Sequence, residues 1–323
     1  MRHGQETVTY GDILEARERI SPHIRRTGLF HSPSLSRALD ADIYLKPECF
    51  QIGGSFKLRG ACSFLASLSP EQRTRGLVTC SSGNHGAALS YAASLFSSPP
   101  TTIFVPGGAE QTKKERIRAY GAEIREVGRD FLETYGIARR FAEETGALYV
   151  HSHGDPLVIA GQGTIGLEIL EDLADPEAVV VPVGGGGLIS GIAMAVKEKR
   201  PGTRIFGVEA AAAPGAYLSF RDGFCHETVE ISSSLADGLL GTLTPLTWSI
   251  ASSLVEKIET VEEEHIREAI RMLFEQEQLI IEGGAAVGIA ALRQGLIDVK
   301  GRKVVIVLTG RNIAPEKFLE LVR

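Results

Sequence analysis

The chain has 323 residues, 43% of them hydrophobic and 23% charged, with a net charge of −6. That composition excludes a disordered chain, and the length suggests two domains. The acidic balance leaves no basic footprint for nucleic acid, so an anionic ligand has to rely on a local site.

No apolar run reaches the roughly 18 residues of a membrane helix. The opening MRHGQETVTYGD lacks the apolar core of a secretory leader. Cys49, Cys62, Cys80 and Cys225 lie far apart with no CxxC pair, which predicts reduced thiols in a cytoplasmic protein. Glycine is the unusual component: 36 of 323 residues, about 11% against an average near 7%. Much of the excess sits in short clusters, as special backbone turns require.

Along the chain, the first cluster is GSFKLRGA (54–61), which sets Lys57 beside Phe56 and two places before Arg59. Predicted strands follow at 77–82, 101–107, 123–128, 148–152, 178–184, 205–210 and 303–310. Several are β-branched and nearly continuous, as strands buried on both faces are. Helices are expected after Gly83 and near Ala109, Phe131, Gln162 and Leu188. A further helix carries Ile266, Ala269, Ile270, Leu273 and Phe274 on one apolar face. The alternation predicts an α/β protein with parallel sheets, whose ligands collect where strands end and helices begin.

Three such turns stand out. SSGNHGAA (81–88) surrounds Gly83 with Ser81, Ser82, Asn84 and His85, which suits either an anion at a helix N-terminus or an elaborate cap. VGGGGLISG (183–191) places Gly184 to Gly187 between a strand and a helix. Four glycines in a row cost backbone entropy, which a close approach of phosphate to main-chain N–H groups would justify. The run has no GK[ST] and matches no GxGxxG fingerprint cleanly. The third turn ends a buried strand with Thr309, Gly310, Arg311 and Asn312. A lysine, a phosphate cradle, a polar anion-binding turn and a hydroxyl at a sheet edge are the parts a pyridoxal phosphate site needs.

The sequence resembles fold type II pyridoxal-phosphate enzymes of the threonine dehydratase / serine racemase family. The matching segments are GSFKLRGA, SSGNHGAALSYA, HSHGDPLVIAGQGTIGLEIL, PVGGGGLISG, GVEA, SLADGL, LIIEGGAAVGIAAL and TGRN, in the family order over nearly the whole chain. The resemblance implies a two-domain tryptophan synthase β-like fold. Residues 1–68 and 152–323 would form a discontinuous cofactor-binding domain, and 76–148 a smaller mobile one.

It also implies roles. Lys57 forms the Schiff base with the cofactor and acts as the base. Phe56 packs on the pyridine ring, Asn84 bonds its hydroxyl, and Thr309 faces its nitrogen. Gly184, Gly185, Gly186, Gly187 and the N–H of Leu188 hold the phosphate. Ser81, Ser82, Gly83 and His85 receive the substrate carboxylate, with Ser82 the second acid/base of the racemase members. Glu282 matches an acid near the cofactor. The implied reaction is loss of water from threonine or serine to give a 2-oxo acid and ammonia. The alternatives are racemisation, or dehydration of another hydroxylated amino acid such as 3-hydroxyaspartate, phenylserine or a hydroxyectoine-pathway compound. A homodimer or higher homo-oligomer is expected.

The chain departs from the family at several points. TGRN replaces the commoner SGGN, so Arg311 is either a cation near the cofactor edge or a structural salt-bridge partner. Glu209 and the Ala213 carbonyl match metal ligands, but Gly215 stands where an acid is usual. Divalent binding is therefore expected to be weak or absent, and Glu209 is read as a strand-end surface acid. His151 has a family counterpart, whereas His153 replaces a commoner Asn and carries no assigned role. Gly241, in place of a small hydroxyl residue, suggests a roomier pocket.

Overall fold

The computed structural model describes residues 7–97 and 99–323. The first six residues of the segment read for a leader lie outside the described residues. Ten strands occur among those described: β1 Phe30–His31, β2 Asp42–Lys46, β3 Leu77–Cys80, β4 Thr101–Val105, β5 Glu123–Glu126, β6 Leu148–Tyr149, β7 Ala178–Pro182, β8 Arg204–Ala210, β9 Lys257–Val261 and β10 Lys303–Val307. They form a six-stranded sheet in the order β1-β2-β10-β7-β8-β9 and a four-stranded sheet in the order β5-β4-β3-β6. Every pairing is parallel except β1 with β2. The smaller sheet is built from strands between Leu77 and Tyr149, and the larger from strands on both sides of that segment.

The seven sequence-predicted strands are all present. Valine-rich β7 and β10 are buried nearly throughout because helices cover both faces of the sheet. The sequence reading passed over β1, β2 and β9. The first is only two residues long, and DIYLK and KIETV carry charges that interrupt the apolar run.

The helix expected near Gln162 starts earlier, as Pro156–Asp172, because the Asp155 side chain accepts the N–H groups of Leu157 and Val158. This helix crosses helix Lys57–Ala66 so closely that a Cβ at Gly161 would lie 2.5 Å from the Arg59 carbonyl. It crosses helix Gly187–Lys199 equally closely, since a Cβ at Gly191 would lie 2.6 Å from the Gly163 nitrogen. Much of the glycine excess is therefore used to bring together the helices that begin at the site. Of the predicted apolar stripe on helix Glu263–Glu277, Ile266, Ala269, Ile270 and Leu273 are buried, but Phe274 is 37% exposed and packs edge-on against Phe318.

One core cluster includes Leu58 and Leu65 on helix Lys57–Ala66, Leu77 and Ile103 in the smaller sheet, and Leu89 on helix Asn84–Leu95. The smaller sheet thus shares its packing with the helix that carries Lys57.

Candidate active site

Lys57 opens its helix directly after Phe56, whose N–H donates to the Thr309 carbonyl at 3.1 Å. An isolated bridge pairs Ser55 with Gly310. These bonds fasten the lysine to the end of β10. Its Nζ donates to the Ser152 carbonyl at 3.0 Å and lies 5.1 Å from the centroid of the Phe56 ring. Burial lowers the amine pKa to about 8, against a smaller opposing pull from Glu282. A lysine tuned in this way is close to half neutral near pH 8 and can act as a nucleophile or base.

The four glycines after β7 form a tight turn into helix Gly187–Lys199. Gly186, the helix N-cap, has φ 81° and offers no side-chain hydrogen bond, so side chains leave the first N–H groups open. A side chain is excluded at each position: a Cβ at Gly184 would meet Leu239 backbone at 3.0 Å, and one at Gly187 the His153 carbonyl at 2.6 Å. At Gly185 it would overlap the His153 ring, and at Gly186 it would meet Thr247 at 3.0 Å. Helix Asn84–Leu95 likewise has a glycine N-cap, Gly83, without a side-chain bond. Phe56 and Glu282 cap helices Lys57–Ala66 and Gly283–Arg293 in the same unbonded manner. Four helices, those opening at Lys57, Asn84, Gly187 and Gly283, thus begin without a side-chain cap, and an uncapped, partly positive helix end suits an anionic ligand. These features fit a phosphorylated, aldehyde-bearing cofactor.

Asn84 donates Nδ2 to Glu282 Oε1 at 2.7 Å and accepts from Asn312 Nδ2 at 2.7 Å. The Asn312 main-chain N–H donates to Glu282 Oε2 at 3.1 Å, and its amide also reaches the Gly53 carbonyl at 2.9 Å. Burial is the main cause that raises the Glu282 pKa to about 7; the nearby charge of Asp237 adds to it, and the bonds from Asn84 and Asn312 oppose it. Asn312 was visible in the sequence only as part of the TGRN turn. Its role as the link between Asn84 and Glu282 carried no local signal.

Ser81, Ser82 and Gly83 line the turn at the end of β3. Ser81 Oγ accepts from the Gly83 N–H at 3.3 Å, and the Ser82 hydroxyl has no protein partner among the described residues. His85 is buried, with ring Nε2 lying 3.2 Å from the Val150 carbonyl. That carbonyl can only accept, so Nε2 carries the hydrogen and Nδ1 is a buried acceptor without a partner. Burial, followed by the charge of Lys57, lowers the pKa of this ring to about 3. The ring therefore offers no free donor to a carboxylate, whereas the main chain of the turn and the Ser81 and Ser82 hydroxyls do. Thr309 is buried, and its hydroxyl has no protein partner among the described residues.

Arg59 points away from the site into a fully buried ionic cluster. Its guanidinium pairs with Glu48 at 2.8 Å and with Glu168 at 2.7 Å, and Lys46 adds a second cation against Glu168 at 2.6 Å. Arg311 is exposed and lies over Phe50, 5.3 Å from the ring centroid, with no ion pair among the described residues. The salt-bridge alternative for Arg311 is therefore not met.

The reading of Glu209 as a surface acid is corrected: it is 0% exposed. Its two oxygens accept the N–H groups of Ala216 and Tyr217 at 3.0 and 2.8 Å, at the start of helix Gly215–Asp222. Burial raises its pKa to about 8. The continuous apolar run of β8 hid which way this residue faces. Ala213 is buried beside it, and no cluster of three metal-ligating side chains occurs among the described residues.

The match to a family of pyridoxal-phosphate dependent enzymes spans residues 20–310. The chain is 45% identical over 307 residues to an L-threonine ammonia-lyase of Thermotoga maritima, covering 95% of this chain and 76% of that protein. It is 37% identical over 310 residues to a beta-hydroxyaspartate dehydratase of Paracoccus denitrificans, covering 96% and 98%. The solved structure of maize serine racemase superimposes with a TM-score of 0.93 at 33% identity, covering 97% of this chain and 96% of that one.

Proposed function

Since the chain belongs to the pyridoxal-phosphate dependent enzyme family, we propose that it is an ammonia-lyase acting on a small β-hydroxy amino acid, threonine or serine. The substrate loses its Cα hydrogen and β-hydroxyl as water, water is regained on hydrolysis, and a 2-oxo acid and ammonia leave. The observation that carries this reading is the half-buried Lys57, whose Nζ donates to the Ser152 carbonyl at 3.0 Å, one residue before the His153 side chain that packs on the glycine turn at Gly185. The 45% identity to an L-threonine ammonia-lyase supports the choice of reaction.

Bound pyridoxal phosphate would supply an aldehyde for amines and a conjugated ring that spreads negative charge from Cα. Gly184 to Gly187 and the Leu188 N–H hold its phosphate. Phe56, Asn84 and Thr309 orient its ring. Neutral Lys57 takes the Cα proton. The main chain of Ser81 to His85 holds the substrate carboxylate. The Thr309 hydroxyl cannot protonate a pyridine nitrogen as a carboxylic acid would, which favours prompt elimination over transamination. Residues 76–148 form a smaller domain that closes over the substrate, and 1–68 with 152–323 the larger one. Closure excludes water during the reaction. Four free thiols favour a cytoplasmic setting, and a homodimer is the expected assembly.

Racemisation is the second reading, favoured by the unpartnered Ser82 hydroxyl and the likeness to serine racemase. A panel of L-threonine, L-serine and 3-hydroxyaspartate, assayed for 2-oxo acid and for D-amino acid from the same samples, separates the two. Absence of 2-oxo acid from every β-hydroxy substrate eliminates the lyase assignment.

A further inference from the structure

Helices Glu263–Glu277 and Gly283–Arg293 pack together over the larger sheet through Ile266, Ala269 and Ile270 on one and Ala286 and Ile289 on the other. Beside the last turn of the second helix they leave a cavity of about 220 Å³, lined by His265, Glu268, Ala290, Arg293 and Gln294. That is less than the roughly 300–1,000 Å³ of a drug-sized site and far more than the roughly 30 Å³ of one water. Glu268 and Arg293 pair at 3.1 Å in its lining, with side chains 45% and 37% exposed. A pair so exposed to water is weakly held, and a ligand can take the place of either partner. The last carbonyls of helix Gly283–Arg293 add partial negative charge on the side of Gln294. His265 Nδ1 is buried and has no hydrogen-bond partner among the described residues. An orphaned ring nitrogen is costly unless a water or a ligand answers it, and an imidazole nitrogen can do so as donor or as acceptor.

The geometry points to a second small-molecule site in this cavity, for a compound that carries a carboxylate and an ammonium group on one short frame, as a free α-amino acid does. Arg293 pairs with the carboxylate through its forked N–H groups. Glu268 and the carbonyl end of helix Gly283–Arg293 take the ammonium group. His265 Nδ1 meets whichever polar group lies deepest, and buried Ala290 leaves room for a small side chain. A nucleotide is too large for this volume, and its phosphates would meet one arginine and one opposing carboxylate. The cavity is distinct from the Lys57 site. Helix Gly283–Arg293 begins at the Glu282 clasp and ends here, 11 residues or about 16 Å further on. An occupant ties the far end of that helix to helix Glu263–Glu277. Binding here does not depend on which reaction Lys57 performs.

The test titrates holoenzyme with L-alanine, which has no β-hydroxyl to lose, by calorimetry. Cofactor absorbance followed in parallel reads occupancy at Lys57. Acetate and methylammonium are titrated as the two halves of the ligand. Arg293→Gln and Glu268→Gln each remove one pole, and because the pair is exposed, both variants should melt close to the parent without ligand. The parent is expected to show a binding step for L-alanine that leaves the absorbance unchanged and is at least about tenfold tighter than the step for either half. Each variant is expected to weaken that step by at least about tenfold and to leave the absorbance change as it is in the parent. Heat that tracks the absorbance change alone, a silent step that survives both variants, or acetate binding as tightly as L-alanine overturns the proposal.

Discussion

Asn84 Nδ2 donates to Glu282 Oε1 across 2.7 Å, joining the first helix after β3 of the smaller sheet to the cap of a helix on the larger sheet. The direction of this bond is set by a third residue. Asn312 donates to Asn84 Oδ1, which turns the Asn84 amide nitrogen toward Glu282. Glu282 has to accept on both oxygens, one from Asn84 and one from the Asn312 N–H. Lys113 on helix Gln111–Arg118 pairs with Asp237 at 2.6 Å and gives a second tie between the same two parts.

Glu282→Gln tests this clasp. A glutamine presents one acceptor and one donor, so it sets N–H against N–H at one of the two contacts. The Glu282 pKa is raised from 4.5 to about 7 in the fold. Its proton therefore favours the folded state, an effect complete below about pH 4.5 and lost as pH rises through about 7. The parent should lose on the order of 1–3 kcal/mol between pH 5 and 8 through this group, and the variant should lack that loss. Denaturant melts at several pH values measure the difference. Parallel pH profiles for the two proteins would refute the assignment.

Lys57 gives a second pH prediction with the opposite sense of shift. Burial lowers its pKa from 10.5 to about 8, so the reactive neutral amine is gained as pH rises through 8. Capture of pyridoxal phosphate by apoprotein, fixed with borohydride and located by peptide mapping, should rise with a midpoint near pH 8. Lys57→Ala should give no modified peptide at this position. A midpoint above about 9.5 would show an ordinary solvated lysine.

Arg59 lies two residues from Lys57 but supports the helix from its opposite face. The cluster of Arg59, Lys46, Glu48 and Glu168 is neutral as a set and fully or nearly buried. Arg59→Met leaves two buried carboxylates against one ammonium, with an expected loss of about 3–5 kcal/mol. Arg59→Lys restores the charge but cannot offer parallel N–H pairs to two carboxylates, so it should fall between. Urea unfolding decides the matter, and a loss below about 1 kcal/mol for Arg59→Met would mean the cluster relaxes or takes in water.

What the sequence made legible was local. The four glycines announced themselves within a few residues, because an unusual backbone turn needs unusual residues, whereas Lys57 and the TGRN turn were weak signals alone and gained weight only in combination. Most of the seven strands found lie in apolar, β-branched runs, with β5 (Glu123–Glu126) the charged exception; β2 and β9, with charged residues inside or at their ends, were not found. Relationships across the chain left no such mark. Asn84 meets Glu282 over 198 residues and Asn312 over 228, and no periodicity records either pairing. Glu209 was misread for a related reason. On a strand buried on both faces, alternation no longer tells inside from outside, and only the helix N-terminus that Glu209 caps explains its position.

Two glycine-to-alanine changes should act with opposite signs. Gly161 sits at the crossing of helix Pro156–Asp172 with helix Lys57–Ala66, where a Cβ would lie 2.5 Å from the Arg59 carbonyl and 2.7 Å from Ser63 Cβ. Backbone cannot yield there without moving the helix that carries Lys57, so Gly161→Ala should cost about 1–3 kcal/mol and weaken cofactor retention. Gly136 lies inside helix Phe131–Thr145, where a Cβ would meet nothing within 4 Å. Gly136→Ala should raise stability by about 0.5–1 kcal/mol and leave cofactor binding unchanged. Thermal and urea melts of both variants, with cofactor titration, give the comparison. Equal effects at the two positions would show that helix propensity, rather than close helix crossing, governs the glycines of this fold.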